Sequence, residues 1–335
     1  MPDRILDFSQ SPVKLRSQFK QLVIRQENGP TVTIPFEDIA VVLISHPQIT
    51  FSQSVLEELT QNGSVLVACN RKSLPVGMFV PLAAHHLTSR RLRLQATTPL
   101  PRLKKAWQQI VRAKISAQAQ LLERFNKDDA GLLSLVSLVK SGDPQNVEAR
   151  AAKRYWGKLF EGFKFQRKPE GDDPINVRLN FGYGVLRGIV ARAICATGFH
   201  PSLGLHHHNK YNAYCLADDL MEPFRPLVDS VVRQQAADTG IADTLSPEVK
   251  KELIEPLLGR LCLGNELRTL FDAVTQLADS LVQFFSKESD ELAFPARFEM
   301  QTELAFAKPR EPATLLPRTL NFPKNQLEPN EHYPF

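Results

Sequence analysis

A single change of hydrophobic period, near residue 90, constrains this chain more than any other feature. Upstream of it, apolar residues come in short runs of strand length: "LVIRQ", "TVTIPF", "IAVVLIS" and "SVLVAC". Downstream of "HHLTSRRLRLQATTPLP" they recur at helical spacing, through "RLKKAWQQIVRAKISAQAQLLERF" and most of the chain to about residue 287. Alternation buries one face of a strand, whereas a repeat near 3.6 buries one stripe of a helix. The expectation is therefore an α+β fold of two domains, a small N-terminal β-rich domain followed by a larger all-α domain. The boundaries fall at 1–88 for the β-rich domain, 89–100 for a basic linker, 101–300 for the helical domain and 301–335 for a Pro-rich tail.

Punctuation residues refine this outline. Asn28-Gly29 is a hairpin turn signal between the first two runs. Ser54 with Glu57 reads as a capping box opening a short helix, which Asn62-Gly63 closes. Pro101 suits the first turn of the long helix. Further helices fit "NVEARAAKRYWGKLF", "INVRLNFGYGVLRGIVARAICATG" and "GNELRTLFDAVTQLADSLVQFFSK", and Ser246-Pro247-Glu248 starts another. Six prolines in the 27 residues from Pro309 predict an extended or disordered tail.

Cys69, Cys195, Cys215 and Cys262 lie far apart with no CxxC spacing, and read as buried free thiols of a reducing compartment. The opening "MPDRILDFSQ" lacks the apolar stretch of a signal peptide. No apolar run reaches the ~20 residues that span a bilayer. A cytoplasmic protein with no membrane partner is expected.

A net charge of +5 makes an acidic partner plausible without identifying one. The stretch from 150 to 168 is more specific. It holds seven Lys/Arg, one acid, and Tyr155, Trp156, Phe160, Phe163 and Phe165. Cations there, Arg150, Lys153 and Arg154 among them, suit phosphates, and aromatics can stack on unpaired bases. Some of those aromatics must also be core.

Three segments far apart supply metal-type ligands: Glu148, the run His206-His207-His208, and Asp218, Asp219 and Glu222 in "LADDLMEPFRPLVD". Two carboxylates and one imidazole, with open positions for water and phosphate, suit a divalent cation in a phosphodiester enzyme. Each element also has a structural explanation. Glu148 favours the positive end of its helix. Adjacent histidines point in different directions and cannot all bind one ion, so a single one is the economical ligand. Asp219 and Glu222 share a helix face and can pair with Arg225, Pro223 and Pro226 placing them near a helix start. Asn180, Tyr183 and Arg187 recur at helical spacing inside an apolar helix and need partners. They can support the site or simply satisfy one another.

Taken in order, "VTIPFEDIAVVLIS", "SQSVLEELTQNGSVLVAC", "RRLRLQA", "EARAAKRYW", "LNFGYGVLRG" and "GFHPSLGLHHHNKYNAYCLADDLMEPFRPLVD" resemble the CRISPR-associated adaptation integrase family, called Cas one, over nearly all of the chain to about residue 300. The "HHHNKYN…LADDLMEPFRPLVD" form is most similar to the type II version, particularly II-C. The resemblance implies metal ligands at Glu148, His206 and Glu222, which are also the catalytic residues, with Asp219 a possible additional acid. It implies Mg²⁺ or Mn²⁺ as cofactor. Its expected activity joins the 3′-hydroxyl ends of short DNA fragments (prespacers) to the repeat of a CRISPR array by transesterification. Expected partners are that DNA, a small second adaptation protein (Cas two), a homodimer mate engaged through the β domain, and the RNA-guided effector nuclease. Two readings from other classes stay open: a general metal-dependent nuclease, and a non-catalytic DNA-binding scaffold.

Overall fold

The structure is a computed structural model, described here for residues 4–26, 29–70, 75–81, 85–169, 171–238, 245–263, 266–295, 297–301 and 319–321. Its first part contains β1 (Arg4–Phe8), β2 (Val13–Gln18), β3 (Gln21–Gln26), β4 (Val32–Pro35), β5 (Ile39–Ile44), β6 (Thr50–Phe51), α1 (Gln53–Gln61), β7 (Val65–Cys69) and β8 (Pro75–Phe79). Helices dominate thereafter: α2 (Thr88–Thr97), α3 (Leu100–Asn126), α4 (Leu132–Val136), α5 (Val147–Leu159), α6 (Pro174–Ala196), α7 (Cys215–Met221), α8 (Arg225–Asp238) and α9 (Pro247–Ile254). A ribbon of β9 (Arg260–Leu263) and β10 (Glu266–Thr269) precedes α10 (Leu270–Phe285), and β11 (Arg297–Gln301) and β12 (Thr319–Asn321) come last. The class is α+β, as the change of period predicts.

β1, β5 and β7 run parallel, in register Ile5↔Val41 and Val41↔Val65, with β8 antiparallel on β7 and β12 parallel on β1. Parallel neighbours need crossovers. The antiparallel strands β2, β3 and β4 lie in the first, and β6, which joins β2 in parallel, lies with α1 in the second. Such strands are covered on both faces, which explains why β5 is apolar at every position. Alternation then divides the core. Ile5, Val41, Leu43, Val65 and Val67 face the helices. Leu6, Phe8, Val42 and Leu66 face Leu15, Leu22, Ile24 and Ile34 of the smaller sheet.

α6 is apolar on all sides because it is the central helix, flanked by α7, α8 and α10. Its glycines set how near its neighbours come. A Cβ on Gly182 would lie 2.4 Å from a Val228 methyl of α8, and one on Gly188 would lie 3.2 Å from Val67 of the sheet.

Several local expectations change in the structure. α1 begins at Gln53, and its preceding Ser52 hydroxyl meets Ser54 at 2.8 Å, so Ser54 and Glu57 form no capping box. A true capping box occurs at Thr269 and Asp272, because the expected helix over 264–287 gives its first residues to β10. The basic segment after residue 88 is the helix α2, held by Gln95 donating to the carbonyls of His200 and Leu203. Cys195 and Cys215 are buried, but Cys69 is half-buried, at the edge of the core. The Cys262 side chain and Asn28 lie outside the described residues, as does the tail apart from Thr319–Asn321. Among the described residues no helix is long and apolar enough to cross a membrane.

Candidate functional site

Glu148 stands in the first turn of α5. Both oxygens of Asp143 accept there, from the backbone N–H groups of Val147 and Glu148 at 2.9 Å each, which anchors the start of the helix. Glu222 lies where α7 gives way to a 3-10 turn, Glu222–Phe224, before α8. Pro223 has no N–H to continue α7, so the backbone turns and the carboxylate is aimed inward. The acids are therefore at a helix junction rather than at the start of one helix.

α3 brings Lys114 between them. Its Nζ is 2.7 Å from Glu148 Oε1 and 2.6 Å from Glu222 Oε2. The contact with Oε2 is ionic, since that buried atom has no hydrogen bond of proper geometry. Arg225 Nε donates to the other Glu222 oxygen at 2.9 Å. Burial by itself would raise the Glu222 pKa, but Arg225 and Lys114 outweigh it and bring it down to about 2. Burial likewise opposes the Lys114 ammonium, and the two carboxylates outweigh it and raise its pKa.

The three histidines diverge. The His206 ring stacks on Trp107 of α3, centroids 4.5 Å apart and planes 2° from parallel. His207 places Nδ1 2.5 Å from Asp219 Oδ1. That hydrogen bond raises the His207 pKa against burial, and the charges of Glu222 and Glu148 add to the rise. His208 is exposed. His207 is thus electrostatically coupled to both glutamates.

Asp219 is fully buried and has its acceptors engaged. Oδ2 receives the backbone N–H groups of Leu205 at 2.6 Å and His206 at 3.1 Å. Gly204 makes this fold of the loop possible, as a Cβ there would lie 2.4 Å from the His207 carbonyl oxygen. With Nδ1–H given to Asp219, the neutral ring presents its lone pair at Nε2. Asp218 turns elsewhere, accepting from Arg187 Nε and Asn212 Nδ2 at 2.7 Å each.

Of the polar residues of α6, Asn180 accepts from Arg167 at 2.9 Å and Arg187 pairs with Asp218. Tyr183 donates to Asp229 of α8, which also accepts from Tyr155 of α5 at 2.6 Å. The Arg225 guanidinium lies over the Tyr183 ring, 4.5 Å from its centroid. Tyr155, Tyr183, Asp229 and Arg225 thus form a continuous buried support behind Glu222. Burial raises the Asp229 pKa to about 6, although both phenols and both arginines, Arg225 and Arg167, pull it down.

Arg150, Lys153 and Arg154 are exposed on α5 and line a shallow depression with Ala130, Gly157 and Lys158. The nearby aromatics do not extend this face. Tyr155 and Phe160 are buried, and Trp156, Phe160 and Phe165 pack on one another with centroids 4.6–6.2 Å apart.

Among the described residues no three His, Cys, Asp or Glu side chains form a ready-made ligand group. The donors nonetheless fit a hard divalent ion. Two carboxylate oxygens already converge on one positive centre, and the His207 imidazole stands in their field. Sequence reasoning anticipated the pairing of Arg225 with Glu222, missed Lys114, Asp143 and Asp229, took Tyr155 only as one of the aromatics, and placed the imidazole at His206. The one available signal was Lys114 itself, a cation among the apolar positions of α3.

This architecture, helices seated on a mixed sheet, is the α+β class of the solved CAS1 structures. The chain superimposes on a CAS1 protein from Thermotoga maritima with a TM-score of 0.69 at 17% identity, covering 89% of this chain and 99% of that one. The chain belongs to the CRISPR associated protein Cas1 family, whose model matches residues 8–245. It is 37% identical over 269 residues to the CRISPR-associated endonuclease Cas1 of Neisseria meningitidis serogroup C (strain 8013), covering 80% of this chain and 87% of that relative. A casposase bound to integration product has the same fold, with a TM-score of 0.71, 17% identity and coverage of 92% and 96%. So does part of a Cas6-RT-Cas1–Cas2 complex, with a TM-score of 0.70, 18% identity, 90% of this chain and 36% of that one.

Proposed function

We propose that this protein is the integrase of CRISPR spacer acquisition, joining 3′-hydroxyl ends of short DNA fragments to the repeat of a CRISPR array. Family membership supports the reading, as do a relative named an endonuclease and the fold shared with a casposase bound to integration product. One observation carries it. Glu148 and Glu222, 74 residues apart in the chain, each place an oxygen within 2.7 Å of a single cationic centre.

Mg²⁺ or Mn²⁺ held by Glu148, Glu222 and one imidazole supplies a lowered hydroxyl pKa and neutralises charge building on the phosphate. His206 is the imidazole that the family resemblance implies. The geometry favours His207, whose Nδ1 is committed to Asp219 and whose ring feels both glutamates. Asp219 then orients the imidazole instead of binding the ion. Arg225 holds the far oxygen of Glu222, leaving Oε2 for the site.

The reaction is one transesterification. The fragment's 3′-oxygen bonds to a repeat phosphorus as the bond to the departing 3′-oxygen breaks. The proton of the attacking hydroxyl passes through solvent to that departing oxygen. Arg150, Lys153 and Arg154 hold the DNA backbone beside Glu148. Insertion at both edges of a repeat needs two sites at a fixed spacing. Pairing of this chain through residues 1–88, bridged by the small second adaptation protein, supplies it. A role alongside the RNA-guided effector nuclease, as in type II-C systems, belongs to the same reading.

The test is strand transfer of a labelled fragment into a supercoiled plasmid carrying a CRISPR repeat, with Mn²⁺ or Mg²⁺ and the small partner. Glu148→Gln, Glu222→Gln and His207→Ala are each expected to lose roughly 100-fold or more in joined product. His206→Ala should retain most of it. Cutting without joining would make the protein a nuclease, and DNA binding without any reaction would make it a scaffold.

A further inference from the structure

Lys114 is the side chain whose role the proposed reaction leaves open. It exposes 12% of its side-chain surface and lies between two acids from different helices, at 2.7 and 2.6 Å. Without a cation there, the Glu148 and Glu222 carboxylates would repel one another at close range. A divalent ion on the same two oxygens would meet the ammonium at close range. Both cations cannot hold those oxygens together.

We propose that Lys114 is the internal counter-cation of this site, keeping Glu148 and Glu222 converged until a divalent ion displaces it. The inference rests on the reading that these two glutamates hold the metal. Binding is then an exchange of one cation for another, and its apparent affinity is lowered by the occupancy of the ammonium.

The displaced ammonium has an acceptor within its own helix. Gln118 lies one turn further along α3, on the same helix face as Lys114. Gln118 is 4% exposed, and its Oε1 has no hydrogen bond. An unsatisfied buried acceptor beside a lysine that must move gives the ammonium a second resting place.

The experiment is Mn²⁺ titration of the full chain, followed by electron paramagnetic resonance of the free ion, with thermal melts in parallel. Lys114→Met is expected to bind Mn²⁺ roughly ten-fold tighter than the wild type. Its melting temperature should also rise more at saturating Mn²⁺. Lys114→Gln keeps a polar group on the carboxylates and guards against misfolding of the methionine variant. It should also bind tighter, whereas Lys114→Arg, which keeps the charge, should not. Gln118→Leu should weaken binding in the wild type and have no effect on the Lys114→Gln background.

Neutral variants that melt cooperatively yet bind Mn²⁺ no tighter than the wild type would overturn the proposal. Wild-type binding that Glu148→Gln leaves intact would instead remove the metal reading beneath it.

Discussion

Asp229 shows how a buried carboxyl far from any ligand role can still serve the site. Two phenols donate to it, one from α5 and one from α6, and Arg225 links it to Glu222. Burial raises its pKa from 3.8 to about 6. The folded chain therefore holds this proton more tightly than the unfolded chain does. Its contribution to stability is present below about pH 4 and is lost as pH rises through 6. Urea unfolding of wild type against Asp229→Asn should show the difference falling between pH 4 and 6, by at most about 1.4 kcal/mol per pH unit, the limit for one proton. A difference flat with pH would mean that Asp229 is ionised throughout. Glu148 was legible in the sequence as a carboxylate beside many cations, and Glu222 as the acid of "LADDLMEP" on which the family resemblance falls. The choice among His206, His207 and His208 was not, because ring direction depends on Asp219 and Trp107, which adjacent positions in a sequence do not encode.

Helix α6 was recognised from its length and apolar content, but which neighbours its glycines admit is settled only by packing. Gly182 allows α8 to approach until a Val228 methyl occupies the space of a Cβ. Gly182→Ala should cost about 1–3 kcal/mol by forcing that contact apart. Because α8 carries Arg225 and Asp229, strand transfer should fall with it even at temperatures where the variant is folded. Denaturant melts paired with the integration assay measure both effects, and an unchanged melt would show that α8 moves freely. The junction at Glu222 teaches the same lesson. Pro223 marked a helix boundary, yet whether the acids ended one helix or began the next depended on the 3-10 turn chosen by packing.

The exposed cations of α5 give the molecule a positive face beside Glu148, while the aromatics between them turn inward. Replacing Arg150, Lys153 and Arg154 together with Ala should weaken DNA binding uniformly across sequences and reduce the salt slope by about one per lost phosphate contact. Fluorescence anisotropy between low and physiological salt reads this directly. An unchanged slope would place the DNA on another face. The sheet matters here as well, since Ile5, Val41, Leu43, Val65 and Val67 join the helical core and Gly188 brings α6 down onto it. α6, against which α7 and α8 pack, is thereby seated on the sheet.

Local chemistry settled much in advance: the change from strand to helix, the long helix from Leu100 and the Ser246 cap derive from periodicity and proline within a few residues. The parallel order of β1, β5 and β7, the inward turn of the aromatics, the pairing of His207 with Asp219 and the bridging by Lys114 do not. Each depends on which distant segment arrives to cover a face, accept a proton or share a charge. That arrival is decided by the packing of the whole chain, so it is visible only once the chain is folded.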